Sequence, residues 1–230
     1  MERRGDWADR ATSWLDQDHA LMTDDDGWRP MVRRDDVQLW RRRMPDDRNH
    51  LYRWRLPRVN APADVVFAGF VHRLLDYHKQ WTREFMGGRV VETLGPTARV
   101  LYQQFDPGVP GITKRDLCSV EVVRAVGPGV HQASFRSIDA LPPERGFTRI
   151  DWWGAALSTP AADGATSELT YLDREIQGGW MFSWLMNPMM KRYLILQAEQ
   201  VARFFADGGP PELRAKTGTD EHRLGSSAPS

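Results

Sequence analysis

Disulfide bonds within the chain are excluded, because Cys118 is the single cysteine among 230 residues. A chain without disulfides suits a reducing compartment. An excess of charge is lacking too, since acidic and basic residues number 31 each and the net charge is zero. The chain therefore has no broad basic field to hold nucleic acid, and we expect no nucleic-acid partner. The short run Arg41-Arg42-Arg43 precedes Asp46-Asp47, and we interpret it as the solvated side of a strand.

Long apolar runs are missing as well. No uninterrupted run approaches the roughly 18 residues that a membrane span needs, and the N-terminus does not develop the apolar stretch of a signal peptide. We therefore expect a cytoplasmic protein. The six histidines show no metal-ligand spacing, and the sequence has no Gly-x-Ser-x-Gly elbow, P-loop or Rossmann fingerprint. From the residues alone we predict no catalytic group, no metal and no cofactor.

The apolar pattern that is present predicts mostly antiparallel sheet. We predict a helix over residues 7–22, two short strands over 28–44, a strand over 51–56 and a second helix over 65–76. Six more strands follow, separated by Gly-Pro and Asp-Gly turn signals. They are predicted over residues 89–94, 98–105, 115–126, 131–138, 148–157 and 167–173. Consecutive strands joined by short turns form an antiparallel meander.

The last third of the chain ends this meander with one long amphipathic helix that reaches Phe205. The helix begins either at Asn187-Pro188, as N-cap and first helical position, or near Met181 with a kink at the proline. A curved sheet gripped by one long helix tends to enclose a cavity. Helices on one face of an antiparallel sheet define an α+β fold, which we predict here.

Three segments are predicted along the chain. Residues 1–27 carry the N-terminal helix, and residues 28–206 form the ligand-binding domain. After Ala206 the sequence turns to Gly, Pro, Ser and charge without an apolar period. We therefore predict a mostly disordered tail over residues 207–230.

An ordered series of landmarks resembles the START (StAR-related lipid transfer) domains, within the helix-grip or SRPBCC (Bet v 1-like) superfamily. The landmarks are Trp28 before the first strands, Trp81 after the middle helix, Arg115-Asp116 opening a strand, and Asp173, Gly178, Gly179 and Trp184 in the strand–glycine–helix passage. The resemblance covers residues 28–205. It implies a helix-grip fold, in which a curved antiparallel sheet wraps around the long C-terminal helix and an internal hydrophobic cavity lies between them.

The same resemblance implies a function in lipid binding. We expect a non-catalytic protein that binds, and by extension transports, a single lipid, sterol-like or polyketide-like ligand, with transient membrane contact during exchange. Two alternatives stay open on this fold. One is a polyketide aromatase/cyclase-type enzyme, which needs a positioned acid/base pair in its cavity. The other is a ligand-sensing regulatory protein.

A polar pair inside the cavity is also implied by the resemblance. Sterol-binding members have an acid and an arginine there, and the corresponding positions of this sequence are Gln103 and Glu121. Strand alternation leaves two orientations for Glu121. Directed inward, it would anchor a ligand hydroxyl or amine; directed outward, it would pair with Arg124 or another surface base. We interpret Arg136 and Arg149 as exposed, with the lesser alternative that one pairs with Glu121 or anchors a ligand carboxylate or phosphate.

The last helix supplies the other predicted contacts, because five of its residues recur at spacings of three and four and so share one face. Methionines on that face suit a flexible apolar ligand. The predicted ligand-binding set is Gln103, Glu121, Trp152, Ser183, Met186, Met190, Tyr193 and Gln197. Plain core packing remains the alternative, in which the ten tryptophans and nine methionines fill the interior.

Overall fold

The computed structural model describes residues 5–44, 49–176 and 183–217, and the side chains of these ranges except residues 5–9, 183–188 and 215–217. Its helices are α1 (Gly5–Thr23), α2 (Ala63–Phe67), α3 (Leu74–Tyr77), α4 (Ser183–Phe204) and α5 (Pro211–Thr217), with a π-helical turn at Ala68–His72 and a 3-10 turn at His78–Gln80. Its strands are β1 (Arg29–Arg33), β2 (Gln38–Arg43), β3 (His50–Val59), β4 (Phe85–Gly95), β5 (Ala98–Phe105), β6 (Lys114–Gly127), β7 (Val130–Ser137), β8 (Phe147–Arg149), β9 (Asp151–Pro160) and β10 (Ser167–Ile176).

The ten strands form a single curved sheet that does not close. Its order is β1-β2-β3-β10-β9-β7-β6-β5-β4, and the short β8 runs parallel to β6 while the other neighbours are antiparallel. The chain crosses over once, from β3 at one side to β4 at the far edge, and the meander then returns to place β10 beside β3. The predicted α+β helix-grip architecture is confirmed.

One face of the sheet is covered by α4 together with α2 and the π-helical turn. The buried residues of α4 recur every three or four positions, as a helix with one apolar side requires. They are Leu194, Ala198 and Val201, all fully buried, and Phe205 continues the series past the helix end. These side chains join Trp54, Phe70 and other sheet and helix residues in the main apolar cluster.

The other face of the sheet is covered by α1, and here the prediction that the helices share one face is wrong. Leu15 packs with Val120 and Val122 of β6, while Leu21 and Met22 join a second cluster on β2, β3 and β9. The physical reason lies in β6, whose alternate residues are apolar on both sides and therefore need two covering layers.

A buried arginine fastens the end of α1 to the sheet. The Arg53 guanidinium lies 4.7 Å from the ring centres of both Trp28 and Trp40. It donates to the carbonyl oxygen of Asp24 at 2.9 Å and forms an ion pair with Asp25. Carbonyl groups at a helix C-terminus lack partners within the helix, so a guanidinium is well suited to end it.

Two further segments differ in detail from the sequence prediction. Helix α4 begins at Ser183 and continues through Pro188, so the helix does not begin at Asn187-Pro188. The predicted tail is ordered at its start, because Pro211–Thr217 forms α5. Leu213 of α5 is buried, and the Tyr77 hydroxyl donates to Glu212 at 2.6 Å. Contacts of this kind hold a segment that composition alone predicts as disordered.

Candidate functional site

A cavity of about 220 Å³ lies between the concave face of the sheet and α4. Strands β5, β6, β9 and β10 supply one wall, α4 supplies the other, and the segment after α3 and the β5–β6 loop close the ends. Most of the lining is apolar or aromatic: Phe105, Pro107, Val109, Ile112, Leu117, Ile150, Trp152, Tyr171, Met189, Met190 and Tyr193. Such a lining takes up the hydrophobic part of a small molecule.

The mouth of the cavity is marked by two exposed hydrophobic residues. Val109 in the β5–β6 loop and Met189 on α4 both line the cavity, yet their exposed fractions are 48% and 57%. The loop contains Gly108 at φ 65° and Gly111 at φ 82°, conformations that glycine adopts without strain. The cavity therefore opens between the β5–β6 loop and the first part of α4.

Two buried amides bring polar atoms to the lining. Gln103 is fully buried, and its Oε1 lies 2.9 Å from Nδ1 of His78. Burial lowers the pKa of His78 to about 4, so this imidazole is neutral at pH 7. Gln197 donates from Nε2 to the Thr82 hydroxyl at 3.4 Å. Among the described residues, Nε2 of Gln103 and Oε1 of Gln197 have no hydrogen-bond partner.

A buried carboxylate forms a second polar element. Asp173 on β10 is 2% exposed and accepts a hydrogen bond from the Trp152 indole at 2.8 Å. Burial raises the pKa of Asp173 to about 6. The indole reaches Asp173 by lying over Gly154, the residue opposite Asp173 in the β9–β10 pair. A Cβ at Gly154 would come within 2.5 Å of the Trp152 ring, so a glycine is needed for this geometry.

Tyr193 brings a phenol hydroxyl from α4 to the cavity lining. Its hydroxyl hydrogen-bonds Thr82, and burial raises the pKa of Tyr193 well above its usual range, so the phenol stays protonated. The charges that act on this hydroxyl are those of Glu175, Asp173 and Glu84, all of them acidic. This side of the cavity is therefore electronegative.

A cation also contributes to the lining. Arg115 at the start of β6 is 4% exposed and donates to the carbonyl oxygen of Thr113 at 3.0 Å. Burial lowers the pKa of this guanidinium. Among the described residues, no group of three or more His, Cys, Asp or Glu side chains is placed to hold a metal ion. None of the described helices is long and apolar enough to span a membrane.

Comparison with known proteins decides the family. The START domain model matches residues 19–206, which is most of the chain. The chain belongs to the START domain family. The START resemblance of the landmark residues is thereby confirmed. A comparison with curated proteins gave no match.

Solved START structures share the fold at low sequence identity. Human StAR-related lipid transfer protein 5 superposes with a TM-score of 0.78 at 14% identity, over 89% of this chain and 99% of its own. Human STARD10 gives 0.71 at 18%, over 88% and 81%. The StAR-related lipid transfer protein of Xanthomonas axonopodis gives 0.67 at 21%, over 79% and 99%. Sequence identities this low show a shared fold and do not identify the ligand.

The START cavity contains five of the eight side chains proposed from the sequence. They are Gln103, Trp152, Met190, Tyr193 and Gln197. Ser183 and Met186 lie on α4, but their side chains fall outside the described part of the chain. The landmark residues Gly178 and Gly179 are likewise outside the described residues.

Glu121 is buried on the inward side of β6, but it does not line the cavity. Arg99, directly opposite on β5, holds both its oxygens at 2.8 and 3.0 Å. The same guanidinium donates to the carbonyl oxygens of Val71 and His72 in the π-helical turn. Glu121 is thus engaged in joining sheet to helix, and we do not retain it as a ligand contact.

The other arginines considered as partners of Glu121 are engaged elsewhere. Arg124 pairs with Asp16, Arg136 with Asp18, and Arg149 with Asp116. All three contacts reach α1 or the β6–β8 pair, so the arginines stabilise the fold on the side away from the cavity. The interpretation of Arg136 and Arg149 as exposed is wrong, because their ion pairs with buried carboxylates keep both side chains mostly buried.

Sequence reasoning missed the acidic side of the cavity. Tyr171, Asp173 and Glu175 all line it, and their spacing of two along β10 places them on one face. That alternation was readable in the sequence, but Asp173 entered only as a family landmark. His78, Thr82 and Glu84 were also missed, because they lie in or beside turns where no periodic pattern indicates which way a side chain points. Arg115 entered only as a family landmark, although it alternates with Leu117 along β6.

Proposed function

We propose that this START domain binds one small hydrophobic ligand in the cavity and carries it between membranes. Family membership supports a hydrophobic ligand in general terms. The observation that carries the proposal for this chain is the apolar cavity against α4, whose lining includes the buried amides of Gln103 and Gln197. We place Gln103, Trp152, Met190, Tyr193 and Gln197 in contact with the ligand.

The volume bears on the size of the ligand. At about 220 Å³ the cavity is smaller than the roughly 300–1,000 Å³ of sites that bury drug-sized molecules. This favours a ligand with one acyl or prenyl chain, or a small ring system, over a two-chain phospholipid. Removing ~200 Å² of apolar ligand surface from water contributes about 5 kcal/mol before the cost of association.

Transient contact with a membrane is proposed at the mouth. Val109 and Met189 expose apolar side chains beside the opening. A lipid that moves from a bilayer into the cavity would pass between these two apolar side chains, which can themselves contact the bilayer. We also propose a cytoplasmic location, which fits the buried and chemically inert Cys118 thiol, whose pKa is raised by burial.

The first test is to purify the protein from its native host and analyse it by non-denaturing mass spectrometry, followed by solvent extraction. We expect one discrete hydrophobic ligand per protein. The matched control is the Leu117→Trp variant, in which the indole should fill the cavity next to position 117. We expect this variant to be recovered without ligand.

Either of two results overturns the proposal. Equal ligand in both samples would place binding outside the cavity. An empty wild-type protein that also takes up none of a panel of fluorescent fatty acids, sterols and phospholipids would remove lipid binding altogether, and turnover of a polyketide-like substrate would then be the next assay.

A further inference from the structure

We propose that the polar end of the ligand is a protonated amine, seated against Asp173 and Glu175 between aromatic rings. This inference rests on the proposed function, because it requires the cavity to accept the hydrophobic part of the same molecule. The ligand class is therefore a cationic amphiphile with one long chain or a small ring system.

The geometry of the cavity wall supplies the seat. Asp173 and Glu175 project from the same face of β10, with Tyr171 next to them in the alternation. Trp152 of β9 and Tyr193 of α4 line the same cavity from the adjacent strand and from the helix. An ammonium group is stabilised both by charge-assisted hydrogen bonds to carboxylates and by the faces of aromatic rings.

The balance of charge points to the same sign of ligand. Among the described residues, three carboxylates line the cavity, those of Glu84, Asp173 and Glu175, against one guanidinium, that of Arg115. His78 adds no charge, because burial lowers its pKa to about 4. A carboxylate or phosphate headgroup would bring a further negative charge to an electronegative wall of low dielectric, whereas an ammonium offsets one already there.

Asp173 is the group through which pH acts on the ligand. The titratable groups around it are Tyr52 on β3, Tyr171 and Glu175 on β10, and Tyr193 on α4, while Arg41 also acts on Tyr52. The three tyrosines remain protonated at neutral pH, since burial raises the pKa of each. Acidification to pH 5 therefore protonates Asp173 in the free protein, and an amine ligand loses one of its two carboxylate partners.

The test compares three molecules with the same tail: dodecylamine, dodecanol and dodecanoate, each below its critical micelle concentration. Each competes with the neutral fluorescent reporter N-phenyl-1-naphthylamine for the purified protein at pH 7.5. We expect dodecylamine to displace the reporter at a concentration at least tenfold lower than dodecanoate. Between pH 7.5 and 5.0 the amine should weaken severalfold relative to dodecanol.

Two substitutions test whether Asp173 and Glu175 cause the preference for dodecylamine. Asp173→Asn should reduce dodecylamine affinity about tenfold and leave dodecanol unchanged, and Glu175→Gln serves as a second variant at the same wall. The matched control is Glu168→Gln on the same strand, whose carboxylate pairs with Arg55 and does not line the cavity. It should behave as wild type.

The outcomes separate the two proposals. If the reporter does not bind, or none of the three molecules displaces it, the proposed function fails and the amine inference fails with it. If all three displace the reporter and dodecanoate equals or exceeds dodecylamine, only the amine inference is overturned. An amine preference that survives both Asp173→Asn and Glu175→Gln would overturn the seat on β10.

Discussion

Replacing Asp173 by asparagine should make the ligand-free protein more stable at neutral pH. The Asp173 carboxyl is buried, with an indole N–H donating to it, and burial raises its pKa from 3.8 to about 6. The native state therefore holds this proton to a higher pH than the unfolded chain does, and stability is lost as pH rises from about 4 to 6.

The magnitude follows from that difference in pKa. About two pKa units at 1.36 kcal/mol each correspond to about 3 kcal/mol of unfolding free energy lost above pH 6. Asparagine cannot ionise, and its oxygen still accepts from the Trp152 indole. Asp173→Asn should therefore regain up to about 3 kcal/mol at pH 7.5 and almost nothing at pH 4.

Urea unfolding of the delipidated protein at pH 7.5 and pH 4.0 measures the effect directly. For a domain of this size the gain corresponds to a rise in Tm of ~6–12 °C at pH 7.5. A residue whose removal stabilises the empty protein while weakening ligand binding is retained for function rather than for folding.

Two results would refute the reasoning. One is an asparagine variant that is no more stable than wild type at pH 7.5. The other is a gain that is equally large at pH 4.0, where the native Asp173 carboxyl is protonated and that of the unfolded chain is close to the midpoint of its titration. Glu168→Gln is the control on the same strand, and loss of its partly exposed ion pair with Arg55 should change the unfolding free energy by less than about 1 kcal/mol.

Three other changes test the arrangement around the cavity. Arg99→Ala leaves the Glu121 carboxylate buried without its guanidinium and should lower the unfolding free energy by about 3–5 kcal/mol in urea titrations. Leu117→Trp should fill the cavity and weaken reporter binding at least tenfold by fluorescence titration, while the protein remains folded by circular dichroism. Gly154→Ala should displace the Trp152 ring, cost about 1–3 kcal/mol in urea titrations and reduce the preference for dodecylamine over dodecanol.

Each change has a matched control. The double variant Arg99→Met with Glu121→Leu removes both charges and should recover most of the stability; a failure to recover would place the defect in the lost carbonyl contacts. Val90→Trp adds the same indole at an exposed position of β4 and should leave reporter binding unchanged. If this variant also binds the reporter more weakly, the effect of Leu117→Trp cannot be assigned to filling of the cavity. Gly127→Ala adds a Cβ into open space, so a loss equal to that of Gly154→Ala would contradict the steric argument.

The order and type of most elements were readable in the sequence because they depend on local properties. Alternating apolar residues bounded by Gly-Pro and Asp-Gly turns indicate strands, and short turns allow only antiparallel neighbours. The spacing of Met190, Tyr193 and Gln197 places them on one side of α4 whatever that side contacts. Hence the antiparallel meander and the helical wall of the cavity were predictable from local patterns, whereas the helix-grip architecture was implied by the family resemblance.

Contacts between distant strands and helices were decided by the tertiary structure. The pairing register alone sets Arg99 opposite Glu121, and α1 lies on the face of the sheet opposite α4 because β6 has apolar residues on both sides. The sequence likewise shows that residue 173 is an aspartate but not what surrounds it. The Trp152 indole lies above Gly154, and the pKa of Asp173 is raised by burial, only once β9, β10 and α4 pack together. Hydrophobic periodicity is a property of neighbours in the chain, whereas desolvation and pairing of charges are properties of neighbours in space.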